Sequence, residues 1–392
     1  MNFIFVQIMD YIYRTISESI KNDLQYYKVI VITGPRQVGK TTLCRMLFPD
    51  YDYVNLENIP TREIIRDDMQ KFIDNIKGGV IIDEVHHLPD LFSYIQVAVD
   101  KGSDKRFVLT GSNNFGMLQN VTQSLAGRAS LFTLPPFSIG EVFGSISEMT
   151  TDELIFKGLY PAAYSLETPP TRLYSNYYST YIERDMHQLI KVKDLSQFQL
   201  FVRLCAGRVG SECNFAALSN ETGVSAPTIK EWLSVLEASY IVFKLPPFYA
   251  NISKRLVKSP KIYFYDTGIL CLLLGIESPR QLETHPLRGA IFENLVVAEF
   301  IKSNLNAGKL PNCYFYRDSR GTEVDLVQQQ RNEFGLYEIK SSRTFNSNFF
   351  ENLRAVSKIF GGNVRESAVL YDGEDTRESQ LEGIYNFRNF TY

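Results

Sequence analysis

The chain has 392 residues, of which 44% are hydrophobic and 22% charged, and its formal net charge is −3 at pH 7. This length predicts two or three domains, and the composition excludes a largely disordered chain. The charge balance excludes a protein that is basic over its whole surface, so nucleic-acid binding would require local patches. The 5 cysteines are widely spaced, which favours a reducing, cytoplasmic location. Because no stretch reaches the ~20 apolar residues of a membrane-spanning helix, we expect no membrane partner.

The first motif, GPRQVGKT, follows a β-branched run at 29–33 and precedes a helical pattern with Leu43 and Leu47 on one face. A strand, a loop and a helix in this order are the context of a phosphate-binding P-loop. Its glycines allow backbone N–H groups to surround phosphates, Lys40 can reach the β and γ phosphates, and the Thr41 hydroxyl can bind Mg²⁺. We therefore predict ATP and Mg²⁺ as cofactors. The predicted nucleotide-binding residues are Gly34, Pro35, Arg36, Gln37, Val38, Gly39, Lys40, Thr41 and Thr42.

A second apolar strand, with the run VII at 80–82, ends in Asp83 and Glu84. In P-loop enzymes an acid at such a strand end holds Mg²⁺, and an adjacent Glu can polarise the attacking water. We predict these roles for Asp83 and Glu84, and a helix-capping acidic pair is the alternative. The neighbouring His86 and His87 would diverge on a helix, so we interpret them as surface or core side chains rather than metal ligands.

A third apolar strand, in KRFVLTGSNNF at 105–115, ends in polar side chains. Beside the acidic strand, such side chains could sense the γ-phosphate; Ser112 or Asn113 is the candidate, and a plain loop is the alternative. Arg128 follows and precedes a fourth strand. A guanidinium that reaches the γ-phosphate accelerates hydrolysis about 10³–10⁵-fold. Arg128 could act in this way in cis or from a neighbouring copy in a homo-oligomer, or could form only a salt bridge.

Together these motifs resemble the AAA+-type ATPases of bacteria and archaea that carry a C-terminal endonuclease-like domain. The segments that carry the resemblance are 34–41, 83–84, 109–112, 125–128, FSIGE at 137–141, GLYPAAY at 158–164 and YIERDM at 181–186. The resemblance covers nearly the whole chain. It implies an α/β fold with a P-loop ATPase sheet, a helical winged-helix region and a C-terminal α/β restriction-endonuclease-like domain, and it suggests rings or dimers.

A second part of the chain begins after the Pro-rich segment LETPPTR at 166–172. Residues 215–245 contain apolar positions at helical spacing, a turn glycine and a helix-capping serine, a pattern that predicts a helix-turn-helix. On the second helix Lys230 is set against Glu231 and Glu237, a poor charge balance for reading DNA bases. A protein partner is therefore the alternative to DNA at this motif.

A more basic segment, NISKRLVKSPK at 251–261, lies between two strand-like runs, where the wing of a winged helix would be. Cations in a hairpin tip could neutralise DNA phosphates without reading bases. We predict DNA as the partner of this wing, and a merely solvated loop is the alternative. The cations are Lys254, Arg255, Lys258 and Lys261.

The last third contains a helical segment with Glu293, a strand-like run with Asp325, and a second run with Glu338 and Lys340. Residues two apart in a strand share a face, so Glu338 and Lys340 point together, and pairing with the preceding strand can bring Asp325 beside them. Two carboxylates can hold a divalent cation, while Lys340 orients or deprotonates water. Glu293 would supply a further carboxylate from the helix.

In order and spacing this pattern resembles the core of the PD-(D/E)XK nucleases, with Val324 in place of the proline. The resemblance implies phosphodiester cleavage with Mg²⁺ or Mn²⁺ held by Glu293, Asp325 and Glu338, and with Glu338 and Lys340 as catalytic residues. A retained fold that does not cut is the alternative.

The motifs divide the chain into three predicted domains. An ATPase domain occupies 1–150, a helical linker with the winged helix occupies 151–285, and the nuclease-like domain occupies 286–392. We expect a nucleic-acid enzyme in which ATP hydrolysis moves the winged helix and presents the substrate to the C-terminal site. A nucleotide-dependent switch or scaffold with a non-catalytic C-terminal domain is the alternative.

Overall fold

The computed structural model describes residues 11–112, 117, 121, 123–182, 195–249, 259–378 and 382–392. The chain forms two compact units. The first comprises the described residues up to Glu148, with Tyr160–Thr168 and Leu305–Gly308, and the second comprises the remainder. The predicted boundary at 150 lies close to the end of the first long segment, whereas most of the second and third predicted domains belongs to one compact unit.

The regular elements alternate between strands and helices in the first third and are mostly helical in the middle. The strands are β1 (Val29–Thr33), β2 (Asp52–Asn55), β3 (Gly79–Asp83), β4 (Arg106–Thr110), β5 (Ala129–Thr133), β6 (Val242–Leu245), β7 (Lys261–Phe264), β8 (Cys313–Arg317), β9 (Glu323–Gln330), β10 (Glu333–Lys340), β11 (Val364–Tyr371), β12 (Arg377–Glu378) and β13 (Glu382–Asn386). The helices are α1 (Ile16–Asp23), α2 (Lys40–Leu47), α3 (Ile59–Asp67), α4 (Met69–Asn75), α5 (Leu91–Asp100), α6 (Ile139–Ile146), α7 (Thr151–Lys157), α8 (Ala162–Ser165), α9 (Pro170–Tyr177), α10 (Leu195–Ala206), α11 (Phe215–Thr222), α12 (Ala226–Ala238), α13 (Thr267–Leu273), α14 (Pro279–Glu283), α15 (Arg288–Asn306) and α16 (Glu351–Phe360).

The first unit is built on a five-stranded sheet in the order β2-β3-β4-β1-β5. All four strand pairings are parallel, and every residue of β1 and β3 is buried. Such uninterrupted apolar runs are typical of parallel strands that are covered on both faces. One core cluster joins this sheet to α4 and α5, with Val31, Ile82, Ile95 and Phe107 among its members.

Parallel pairing fixes which side chains share an edge of this sheet. Ile32 is in register with Thr110, and Ile82 with Leu109, so the ends of β1, β3 and β4 lie side by side. The phosphate loop at 34–39, Asp83 and Thr110 therefore meet at the carboxyl edge, where ligands of open α/β sheets bind.

The middle of the chain contains the helices predicted for the helix-turn-helix segment. The α11 helix ends at Gly223, whose φ of 73° allows the turn, and Ser225 caps α12 by accepting a hydrogen bond from Thr228 N at 3.3 Å. The antiparallel pair β6–β7 follows. Lys254, Arg255 and Lys258 of the predicted wing lie outside the described residues.

The C-terminal part of the second unit has a six-stranded mixed sheet in the order β12-β13-β11-β10-β9-β8. Strands β9 and β10 pair antiparallel as a hairpin, and β10 pairs parallel with β11. One face of the sheet packs against α16, through a cluster that includes Val327, Leu336, Leu353 and Val356. No helix among the described residues is long and apolar enough to cross a membrane.

A single glycine, Gly34, controls the start of the phosphate loop. Its φ is 142°, and an added Cβ would lie 2.3 Å from the carbonyl oxygen of Leu134. We expect Gly34→Ala to lower the free energy of unfolding by about 1–3 kcal/mol, because both the backbone conformation and the space exclude a side chain. Urea denaturation of the purified variant measures the change.

Gly140 provides the matched control for this substitution. It lies in α6, and an added Cβ would meet no atom within 4 Å. Gly140→Ala should leave stability unchanged or raise it by up to about 1 kcal/mol, because Ala is the better helix former. Equal losses in the two variants would contradict the explanation for Gly34.

Candidate functional site

The phosphate loop closes around the side chain of Lys40. Gly34 and Gly39 adopt φ angles of 142° and 90°, and Gly39 is the N-cap of α2. Lys40 is 7% exposed, and its Nζ donates to the carbonyl oxygens of Gly34 at 3.0 Å and Pro35 at 2.8 Å. Burial lowers the pKa of Lys40 to about 8, against the opposing effect of Glu84 and Asp83. The ammonium group thus lies in the concavity of the loop, where a phosphate would be bound.

The remaining predicted nucleotide-binding residues lie in the loop and the first turn of α2. Val38 is buried, Gln37 has a positive φ of 61°, and Thr42 is exposed on the helix surface. Because Thr42 faces outward, its contribution to nucleotide binding would come from its backbone N–H.

Asp83 is the centre of the polar network at the sheet edge. It is 5% exposed, and its Oδ2 accepts from the Thr41 hydroxyl at 2.7 Å and the Tyr53 hydroxyl at 2.8 Å. The Thr110 hydroxyl donates to the other oxygen, Oδ1. Neutral hydroxyl donors satisfy the carboxylate without cancelling its charge, so Asp83 and Thr41 together could hold Mg²⁺.

Tyr53 was not anticipated from the sequence. Its phenol reaches Asp83 from β2, and the Arg45 guanidinium lies 3.9 Å from the centre of its ring. No sequence motif surrounds Tyr53, and only the pairing of β2 with β3 brings the two side chains together.

Glu84 adopts the left-handed backbone conformation, with φ of 54° and ψ of 45°. Non-glycine residues in this conformation are uncommon and cluster at functional sites. Its Oε2 accepts from Ser112 N at 3.2 Å and Ser112 Oγ at 3.3 Å, and it lies 3.1 Å from Nδ1 of His86. Although burial opposes ionisation, the contact with His86, the charge of Lys40 and the Ser112 N–H lower the pKa of Glu84 to about 2. Glu84 is therefore an anion that is linked directly to the predicted sensor Ser112. The alternative sensor, Asn113, lies outside the described residues.

Arg128 lies away from this site and forms a salt bridge, which was the alternative to a catalytic role; a catalytic role stays a prediction. It immediately precedes β5, whose first residue, Ala129, pairs with Val29 at the amino edge of the parallel sheet. Its guanidinium forms an ion pair with Asp100, with Nε–Oδ1 at 2.5 Å and Nη2–Oδ2 at 2.9 Å. The phosphate loop lies at the opposite edge, so Arg128 could reach a nucleotide only in another copy of the chain.

The structure brings Asp325, Glu338 and Lys340 together on the β9–β10 hairpin. Lys340 Nζ lies 2.5 Å from Glu338 Oε1 and 3.7 Å from Asp325 Oδ2. Asp325 Oδ2 also accepts a hydrogen bond from the backbone N–H of Ile339 at 2.8 Å. This bond holds the Asp325 side chain against β10. The two carboxylates are 9% and 5% exposed. The period-2 pattern of β10 therefore produces the predicted juxtaposition.

Lys261 is not an exposed cation of a wing, which corrects the sequence prediction. It is 4% exposed on β7, and its Nζ lies 2.6 Å from Glu323 Oε1 and 3.5 Å from Glu293 Oε1. Tyr263, two residues further along β7, donates its hydroxyl to Glu293 Oε1 at 2.5 Å. The β6–β7 pair of the middle region thus contributes a lysine and a tyrosine to the carboxylate cluster.

The carboxylates of this cluster are strongly perturbed. Burial, followed by the charge of Asp325, raises the pKa of both Glu338 and Glu293, while Lys340 and Lys261 respectively oppose the rise. Glu338 Oε2 is buried and has no hydrogen-bond partner among the described residues. A buried acceptor without a partner costs about 1–3 kcal/mol, so this oxygen is disposed to take a proton or a cation.

The set Glu293, Asp325 and Glu338 does not form a prearranged metal site. Within the described residues no group of three or more His, Cys, Asp or Glu side chains is placed to hold a metal ion. In addition, the ammonium groups of Lys340 and Lys261 lie against carboxylate oxygens that a cation would need. Metal binding would require at least Lys340 to release Glu338.

Family comparisons match three segments of the chain. A family described as AAA domain matches residues 26–143, which confirms the predicted P-loop ATPase domain. Two families described as domains of unknown function, DUF8612 and DUF4143, match residues 149–280 and 288–388. The boundary between the second and third matched segments falls between Tyr263 of β7 and Glu293 of α15. The side chains of these two residues are hydrogen-bonded to each other.

Two relatives match over most of their length. They are the uncharacterized protein Mb2031c of Mycobacterium bovis and the uncharacterized protein Rv2008c of Mycobacterium tuberculosis. Each is 30% identical over 370 residues, covering 92% of this chain and 80% of the relative.

Solved structures give a more remote likeness. The Walker-type ATPase PABY2304 of Pyrococcus abyssi is 12% identical, with a TM-score of 0.44, over 66% of this chain and 94% of that chain. A signal transduction ATPase with numerous domains and a tetratricopeptide repeat sensor, PH0952 of Pyrococcus horikoshii, is 12% identical, with a TM-score of 0.27, over 73% of this chain and 47% of that chain.

The raised pKa of Glu338 predicts how stability depends on pH in metal-free protein. The folded state holds a proton on this carboxyl at pH values where the unfolded chain, with an ordinary pKa of 4.5, has released it. This contribution is complete below pH 4.5 and is lost as the pH rises through the folded pKa. We expect the free energy of unfolding to fall between pH 5 and pH 8 in EDTA.

Glu338→Gln isolates the effect of this carboxyl. The amide keeps the size of the side chain and cannot titrate, so its urea unfolding curves should show a flatter pH dependence than those of the wild type. Parallel pH profiles of the two proteins would contradict the assignment to Glu338.

Proposed function

Because this chain belongs to the same family as the two mycobacterial proteins and carries an AAA domain, we propose that it binds and hydrolyses Mg²⁺–ATP. The observation that carries the proposal is the contact between the Thr41 hydroxyl and Asp83 at 2.7 Å beside a glycine-lined loop closed around Lys40. Thr41 and Asp83 would hold Mg²⁺, and the bound ion would neutralise charge on the phosphates. Lys40 would exchange its two carbonyl partners for phosphate oxygens.

The hydrolytic step falls to Glu84 and Ser112. With its low pKa, Glu84 is an anion that accepts hydrogen bonds and can orient a water molecule toward the γ-phosphate. Ser112 donates both its N–H and its hydroxyl to Glu84, so a γ-phosphate that drew Ser112 away would change the hydrogen bonding of Glu84. Arg128 would contribute to hydrolysis only in trans, from a second copy in a homo-oligomer, whereas its ion pair with Asp100 supports a salt bridge alone.

Lys40→Ala tests the ATPase assignment. Loss of charged hydrogen bonds worth about 3 kcal/mol should reduce ATP turnover by roughly two orders of magnitude. Phosphate release from Mg²⁺–ATP by the purified protein measures this effect. Wild-type turnover in the variant would exclude the proposed phosphate-binding role of Lys40.

Lys105→Ala is the matched control. Its Nζ also donates to two carbonyl oxygens, those of Ile73 at 2.6 Å and Asp74 at 2.7 Å, but Lys105 immediately precedes β4, at the amino edge of the sheet. Its ATP turnover should remain at the wild-type level.

The second proposed activity is metal-dependent cleavage of nucleic-acid phosphodiesters at the C-terminal site. The juxtaposition of Asp325, Glu338 and Lys340, and the buried unpartnered Oε2 of Glu338, support it. Mg²⁺ or Mn²⁺ bound by Asp325 and Glu338, with Glu293 as a further ligand, would polarise the scissile phosphate. Lys340, once released from Glu338, would orient a water molecule and offset phosphate charge.

DNA is the proposed partner of the segment at 251–258, whose cations Lys254, Arg255 and Lys258 would contact backbone phosphates. Lys261 is excluded from this surface because it is buried beside Glu323. The helix-turn-helix remains a proposed docking site for DNA or a protein, and its uneven charge favours the protein.

Glu338→Ala tests the nuclease proposal. Single-stranded and duplex DNA and RNA are incubated with the protein, Mg²⁺ or Mn²⁺, and ATP, and the products are separated by size. Wild-type protein should cut at least one form, and Glu338→Ala should reduce cutting to background because a carboxylate ligand is lost. Glu333→Ala is the control, because Glu333 is exposed at the start of the same strand and should not affect cleavage.

A nucleotide-dependent switch or scaffold is the second candidate function. The lysines that already satisfy Glu338, Asp325 and Glu293 favour it, since a non-catalytic domain needs its buried carboxylates neutralised permanently. Lys40-dependent ATP turnover without cleavage of any nucleic acid would select this function over the nuclease.

A further inference from the structure

Arg14 is a buried arginine just before α1, in a part of the chain that precedes the matched AAA segment. It is 3% exposed, and its guanidinium makes contacts with three separate stretches. Nη1 donates to the carbonyl oxygen of Val38 at 2.9 Å, Nη2 to that of Pro135 at 2.6 Å, and Nε to Glu141 Oε1 at 3.3 Å. The side chain thus connects the phosphate loop to Pro135, which follows β5, and to Glu141 in the first turn of α6.

The bond to Val38 fixes a particular peptide plane of the phosphate loop. In a planar trans peptide the carbonyl and the following N–H point in opposite directions. When Arg14 holds the Val38 carbonyl, the N–H of Gly39 is directed away from Arg14. Val38 is preceded by Gln37 and followed by Gly39, which have positive φ angles of 61° and 90°. Non-glycine residues seldom adopt the backbone conformation of Gln37, so a bond from outside the loop helps to hold the loop in this shape.

Glu141 anchors the guanidinium in turn. Its side chain is 1% exposed; Oε1 also accepts from Thr15 N at 2.7 Å, and Oε2 accepts from Ser138 N at 2.9 Å as part of the capping box of α6. The Phe137 ring lies under the guanidinium, 4.8 Å from its carbon to the ring centre. With both ends of the ion pair fixed by backbone groups, Arg14 has little freedom to move.

We propose that Arg14 is a positioning residue for ATP, which holds the Val38–Gly39 peptide in its phosphate-binding orientation before the nucleotide arrives. This inference rests on the proposed ATPase function and deepens it. A loop that is ordered in advance loses less conformational entropy on binding, so its ligand binds more tightly. Arg14 touches neither Thr41, Asp83 nor Glu84, and its effect should therefore appear in nucleotide affinity and not in the chemical step.

Arg14→Met and Arg14→Lys test the proposal in the whole 392-residue chain. Lysine keeps the charge, but its single ammonium group cannot span three acceptors as a planar guanidinium does. Both variants should bind a fluorescent ATP analogue with Mg²⁺ about tenfold or more weakly, and the KM for ATP should rise while kcat stays within about twofold. Equilibrium titration and steady-state phosphate release give the two readouts.

Arg288→Met is the control for the loss of a partly buried arginine with several hydrogen bonds. Arg288 bonds Asp152 at 2.9 Å, Asp372 at 3.1 Å and the Ser341 carbonyl at 2.8 Å within the second unit. Its removal should lower the melting temperature while leaving the KM for ATP unchanged. If Arg288→Met raised KM as much as Arg14→Met, a general loss of stability would replace the positioning role.

Glu141→Gln and the wild-type protein complete the test. If Arg14→Met does not fold, Glu141→Gln carries the test, since it weakens the anchor of Arg14 and should also raise KM with kcat unchanged. If the wild-type protein does not bind ATP, or if Lys40→Ala binds it equally well, both the ATPase function and this inference fail. If ATP binding of the wild-type protein depends on Lys40 but the Arg14 and Glu141 variants keep the wild-type KM for ATP, the inference alone fails.

Discussion

The buried carboxylate of Asp83 is the constraint on which the first unit depends. Removal of a charge from water is costly unless its hydrogen-bonding capacity is satisfied, and here three hydroxyl groups do so. They come from Thr41 after β1, Tyr53 on β2 and Thr110 on β4, so the network requires the strand order that places β3 between β2 and β4. The hydroxyl groups leave the negative charge in place, available to a cation.

In the C-terminal cluster the buried carboxylates are stabilised by lysines and not by hydroxyl groups alone. Glu338 and Glu293 lie against the ammonium groups of Lys340 and Lys261, which compensate the charge of these carboxyls when they ionise. Paired buried charges can rigidify a core, but they also compete with any ion that enters. One chain thus contains two buried acidic centres with different partners: hydroxyl groups surround Asp83 in the sheet of the AAA domain, and lysines lie against Glu338 and Glu293.

Local patterns predicted what local geometry determines. The P-loop, the strand that ends in Asp83, and the shared face of Glu338 and Lys340 each follow from the spacing of a few neighbouring residues. Tyr53 and Arg14 were not singled out, and Lys261 was assigned to the wing, because their partners lie 24 to 127 residues away in the chain. The position of Arg128 could have been predicted from the sequence. A residue that precedes a parallel strand lies at the edge of the sheet opposite the phosphate loop.

The hydrogen bond from Tyr263 to Glu293 has a consequence for how this chain can be divided. Strand β7 and helix α15 lie in segments matched by different families of unknown function, yet their side chains are buried against each other. A fragment that began at Arg288 would lack Lys261 and Tyr263 and would leave Glu293 without these partners. If recombination exchanged the C-terminal regions of two relatives, these contacts with Glu293 would be kept only if the exchanged segment included β7.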